Sequence, residues 1–132
     1  MENTSEKFDF QIILESEEVE ESSTYWQKQC HMLYDQIRKK LPEGSIDPSS
    51  RKGREGEKAD IIISFDVLTF TGVTLNSFYV LIKFIDVWER NRKKANVKLN
   101  SRNGDEFVLS NLSVDEALEI YRNLQQEDNE QE

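Results

Sequence analysis

Ile61 to Trp88 reads IIISFDVLTFTGVTLNSFYVLIKFIDVW, the most apolar run of this 132-residue chain, and how it divides decides the fold. The second half has a helical pattern. Phe78, Leu81, Ile82, Ile85 and Trp88 recur on one face, and Val80, Phe84 and Val87 widen it. Arg90, Arg92, Lys93 and Lys94 then fall at the negative end of the helix dipole. A helix apolar on more than one side belongs at the centre of a fold. The first half fits two periods: Ile61, Phe65 and Leu68 suit a helix, whereas Ile61, Ile63, Phe65 and Val67 suit a strand. We read Ile61 to Phe70 as helical, with a break at Gly72 before the next helix. As a single membrane span, residues 61–88 would carry Asp66, Lys83 and Asp86 at about 2.5–3.5 kcal/mol each near the bilayer centre. That reading would also take from Phe8, Trp26, Leu33 and Phe107 their packing partner, so a buried core segment is preferred to a membrane component.

Upstream, Phe8, Phe10, Ile12 and Leu14 alternate as in a half-buried strand, and the acidic run Glu15 to Glu21 reads as a solvated connection. Trp26, Cys30, Leu33, Ile37 and Leu41 then mark one helical face. Thr24 and Gln27 have capping-box spacing, Arg38, Lys39 and Lys40 suit the last turn, and Pro42 with Gly44 ends the helix. Residues 43–58, rich in Gly, Ser, Pro and charge and containing Arg51, Lys52 and Arg54, read as a flexible loop.

Downstream, a three-residue loop Arg102-Asn103-Gly104 pairs Leu99 with Phe107 and Val97 with Leu109, gathering four apolar residues on one face of a hairpin. A two-residue loop would scatter them over both faces. Ser113 and Glu116 form a capping box, Leu112 is placed to staple onto Ala117, and Val114, Ala117, Leu118, Tyr121 and Leu124 line the last helix. The predicted fold is one α+β domain over residues 1–126. Three strands, the N-terminal one beside the hairpin, lie under three to four helices, and an unstructured acidic tail follows at 127–132.

Composition narrows the function. A net charge of -9 opposes nucleic-acid phosphates, so no nucleic-acid partner is expected. One Cys and one His fall short of a typical zinc site, and no cofactor motif is present: Gly53 and Gly56 lack the residues of a phosphate loop. Cys30 and His31 are the one nucleophile–base candidate, yet neighbours on a helix point about 100° apart, and Cys30 lies on the face expected to be buried. No catalytic residue is assigned. Asp66, an acid inside the apolar stretch, is expected at a turn or an edge. The polar N-terminus has no secretory layout, so a cytoplasmic location is expected. A binding role remains, with the basic helix end Arg90, Arg92, Lys93 and Lys94 as the expected protein-binding site, set against a small-molecule-binding or enzymatic alternative.

An N-terminal strand, a helix, and the apolar segment ending in Phe84-Ile85-Asp86-Val87-Trp88-Glu89-Arg90-Asn91-Arg92 are followed by Val97-Lys98-Leu99, a Gly turn, Glu106-Phe107-Val108-Leu109 and a Leu-rich helix. This succession, over most of Phe8 to Leu124, resembles the effector-associated constant component family. The chain departs from the family pattern at Phe70-Thr71-Gly72-Val73-Thr74, where one glycine stands in place of several. The resemblance implies a non-enzymatic component of a bacterial conflict (antiviral defence) system. Such an adaptor couples an effector, such as a protease, to an activating module such as an ATPase encoded nearby.

Overall fold

The alternation read at Phe10, Ile12 and Leu14 builds the middle strand of a five-stranded antiparallel sheet. The computed structural model describes residues 9–18, 23–52, 61–92, 94–109 and 112–130. In chain order the elements are β1 (Phe10–Ser16), α1 (Thr24–Arg38), β2 (Ile46–Lys52), β3 (Ile61–Phe70), α2 (Leu75–Arg90), β4 (Ala95–Ser101), β5 (Glu106–Val108) and α3 (Val114–Glu130). The strand order is β2-β3-β1-β4-β5. Phe10, Ile12 and Leu14 of β1, Ala95, Val97 and Leu99 of β4, and Leu68 and Phe70 of β3 share one buried core with all three helices. This is a two-layer α+β arrangement. Phe8 lies outside the described residues.

The hairpin has the expected register. Leu99 faces Phe107, and Leu109 N donates to Val97 O at 2.9 Å. Gly104 takes φ +96°, the left-handed conformation that the bulged turn requires. β1 pairs with β4 from Phe10↔Ser101 to Ser16↔Ala95, so the distant pairing is present. Ser113 and Glu116 cap α3 reciprocally: Glu116 N donates to Ser113 Oγ at 3.1 Å and Ser113 N to Glu116 Oε1 at 2.8 Å. The break at Gly72 is also present, with φ +69°, and Thr74 caps α2 by accepting from Ser77 N.

Five expectations need correction. Ile61 to Phe70 is a strand, not a helix, and lies between β2 and β1. It is dense in β-branched and aromatic residues and finds a ladder on both sides. Its register against β2 breaks, since Pro48 faces Leu68 but Ser49 faces Ser64, so residues 65–67 bulge from that ladder while Val67 still pairs with Ile13 of β1. Leu68 and Phe70 are buried while Ile61 and Ile63 are exposed. The loop expected at 43–58 contains β2, an edge strand in which Pro48 is tolerated because one side of the edge has no ladder to feed. Residues 53–60 lie outside the described ones. The strands therefore number five rather than three.

The start of α1 is capped by Ser23, whose Oγ accepts from Trp26 N at 3.1 Å, rather than by Thr24 and Gln27. Gln27 instead crosses to the bulge, where its Oε1 accepts from Phe65 N at 2.7 Å and its Nε2 donates to Asp66 at 3.3 Å. Finally, α3 continues to Glu130, into the stretch expected as an unstructured tail. Residues 131–132 and the side chain of Val114 lie outside the described ones. Among the described residues no helix is long and apolar enough to cross a membrane, and the run 61–88 is divided between β3 and α2.

Candidate functional site

On α1 the face Trp26, Cys30, Leu33 and Ile37 is buried, as the spacing requires. One residue earlier at each step, Tyr25, Gln29, Met32 and Gln36 form a second stripe turned toward the outer side of α2. With Val87, Trp88, Asn91 and Arg92 this stripe lines a groove of about 310 Å³. Its rim is open to water and sets three exposed apolar residues, Tyr25 at 60%, Met32 at 50% and Val87 at 53%, beside the exposed amides of Gln36 and Asn91. Val87, expected to widen the buried face of α2, lies outside it.

The floor is rigid. The Trp26 and Trp88 rings meet at 5.6 Å in the α1–α2 seam, and Trp88 Nε1 donates to Gln29 O at 3.1 Å. Arg92 lies over the Trp88 ring, with Cζ 4.6 Å from the centroid. Its Nη1 donates to Trp88 O at 2.8 Å, and its Nε and Nη2 reach Gln29 Oε1 at 3.0 and 2.6 Å. Burial lowers the Arg92 pKa from the ordinary arginine value, while Tyr25 and Cys30 act in the opposite direction.

The basic cluster expected as one site is therefore dispersed. α2 ends at Arg90, which extends into solvent and pairs with Asp86 one turn back. Arg92 folds back onto Trp88 and α1. Lys94 is exposed, takes φ +66° and presents its carbonyl to Glu17 N. Lys93 lies outside the described residues. At the end of α1, Arg38 pairs with Asp35 at 3.3 Å.

Cys30 and His31 are not brought together. Cys30 is fully buried. His31 points elsewhere, stacking on Phe65 with centroids 4.2 Å apart and lying 3.6 Å from Asp35. Among the described residues no three His, Cys, Asp or Glu side chains are placed to hold a metal. Asp66 stands at the bulge, partly exposed.

A second hollow of about 470 Å³ lies between α2 and the start of α3, lined by Tyr79, Ile82, Lys83, Asp86, Leu112 and Ala117. It has the size of a small-molecule site. Of its polar lining groups, Asp86 pairs with Arg90 and Ser113 with Glu116, and Tyr79 and Lys83 complete the set.

Sequence reading pointed to Arg92 but missed Tyr25, Gln29, Met32 and Gln36. The legible signal was two large apolar residues, Tyr25 and Met32, one step off the buried stripe and lacking a place in the core. No known family model matches the sequence, and neither curated proteins nor solved structures give a match.

Proposed function

We propose that this chain is a non-enzymatic adaptor that holds a partner protein in the groove between α1 and α2. The observation that supports it is the conjunction of Tyr25, Met32 and Val87, all more than half or half exposed, around the fixed Trp88–Arg92 pair. Tyr, Trp, Met and Arg are the residue types enriched in protein interfaces. A rigid floor limits the entropy lost on binding. The family resemblance supplies the setting: a cytoplasmic bacterial conflict system, with an effector such as a protease, or an activating module such as an ATPase, as the partner. Arg90, Arg92, Lys93 and Lys94 enter this reading unequally, with Arg92 inside the groove and Arg90 and Lys94 at most on its margin.

The test is a partner identified by genetic linkage and reconstituted from two purified proteins. Met32→Glu should weaken the complex by about tenfold or more, the scale of losing one central apolar contact. Val108→Glu, at an exposed position of the sheet edge, should leave it unchanged. Equal binding by both variants, or loss at Val108 alone, would overturn the assignment of the groove.

A further inference from the structure

We infer that the α1–α2 groove selects a partner segment that presents a carboxylate beside a large apolar side chain, with Arg92 as the acid's receptor. The inference rests on reading the groove as a docking site. Arg92 is the one charged residue among the described lining residues. It is held by three hydrogen bonds, all to neutral acceptors, the Gln29 amide oxygen and the Trp88 carbonyl. A guanidinium has five N–H donors. One N–H on each terminal nitrogen thus remains for a further acceptor, and the Nη1–Nη2 edge is the one a carboxylate can meet.

Among the described residues no carboxylate lies within ion-pair distance of Arg92, although other cations of the chain have one: Arg90 has Asp86, Arg38 has Asp35, and Lys98 has Glu15 and Glu106. In a chain with 26 acids and 17 bases, a half-buried cation without an acid is unusual placement. The stacking on Trp88 and the clamp by Gln29 fix the guanidinium plane in advance, so a carboxylate arriving there meets an oriented fork. Met32 and Val87 border the same groove and would take the neighbouring apolar side chain. An amphipathic helix laid between two helices can offer both groups.

The test uses synthetic helical peptides of Ala, Gln and Lys that carry one Leu and one Glu a turn apart. A matched series has Gln in place of Glu, and a third has the Glu on the opposite face, so that net charge and local contact are separated. Binding is followed by amide shifts in the isotope-labelled full chain. The expected result is shifts at Gln29, Met32, Val87 and Arg92 with the first series, and affinity about tenfold or more weaker in both others. That is the scale of one charge-assisted hydrogen bond.

Arg92→Lys tests the fork directly. Because Arg92 also braces the helix seam, Met32→Glu is the companion variant: at an exposed position it should keep the fold and abolish the preference for Glu. Equal binding of Glu and Gln peptides in the groove would overturn acid selection and leave the docking reading standing. Shifts elsewhere, or no shifts at millimolar peptide, would also overturn it, while the docking reading is judged separately on the reconstituted partner.

Discussion

Replacing Gln27 by Ala removes the link between α1 and the β3 bulge. In the bulge the Phe65 N–H has no partner in the ladders to β1 or β2, whose registers omit residue 65, and its acceptor is Gln27 Oε1 at 2.7 Å. An unsatisfied N–H costs about 1–3 kcal/mol. The site is half-buried, so water recovers part of that, and the 3.3 Å contact to Asp66 adds little. Ala returns a few tenths of a kcal/mol in helix propensity. The expected net loss is about 1 kcal/mol, or about 3–6 °C in Tm for a chain of this size. Urea unfolding should show a lower midpoint with an unchanged slope, since no new surface is exposed in the unfolded state. Exchange of the Phe65 amide should accelerate more than that of its strand neighbours. If Gln27→Ala matched the wild type in both measurements, the bulge would not be pinned by α1.

Tyr121 gives a pH test. Its phenol donates to Val73 O at 3.0 Å, and burial first, with Asp9 second, raises its pKa above 10.0. The folded chain holds this proton more tightly than the unfolded one, so the contribution is complete below about pH 10 and is lost as pH rises through the folded value. Tyr121→Phe should cost about 0.5–1.5 kcal/mol at neutral pH, and the gap to wild type should close in alkali; a gap constant with pH would contradict the sign. Cys30→Ala should cost about 1–2 kcal/mol of stability, the loss of a small buried group, and leave partner binding intact. Abolished activity in a well-folded Cys30→Ala variant would instead favour an enzyme. Arg90→Glu should cost only about 0.5 kcal/mol, from facing Asp86 one turn away, and should not weaken docking; a strong binding defect would move the site to the end of α2.

Where one side of an element faced the core and the other water, sequence was sufficient. Trp26, Cys30, Leu33 and Ile37 are buried as their spacing requires, and the hairpin register followed from collecting Val97, Leu99, Phe107 and Leu109 on one face. β2 was illegible because it is an edge strand, joined to β3 through its main chain and built from Pro, Ser and charged residues. β3 was misread because large apolar residues stand at its exposed positions, Ile61 and Ile63, as well as at its buried ones, Leu68 and Phe70, so hydrophobicity does not report which positions face the core. The site was half legible. Arg92, folded back on Trp88, was singled out, but grouped with neighbours that the helix end sends in other directions: Arg90 inside α2 and Lys94 in a left-handed turn. Adjacency along a chain does not fix adjacency on a surface once a helix has ended.

The central claim, that a protein docks between α1 and α2, is tested most directly by hydrogen exchange of the full chain alone and in its reconstituted complex. The side chains that line the groove lie at 25–36 and 87–92. Added protection is expected in those two segments and none along β4 or β5, residues 95–101 and 106–108. Protection confined to the sheet strands, with the two helix segments exchanging as in the free chain, would contradict it.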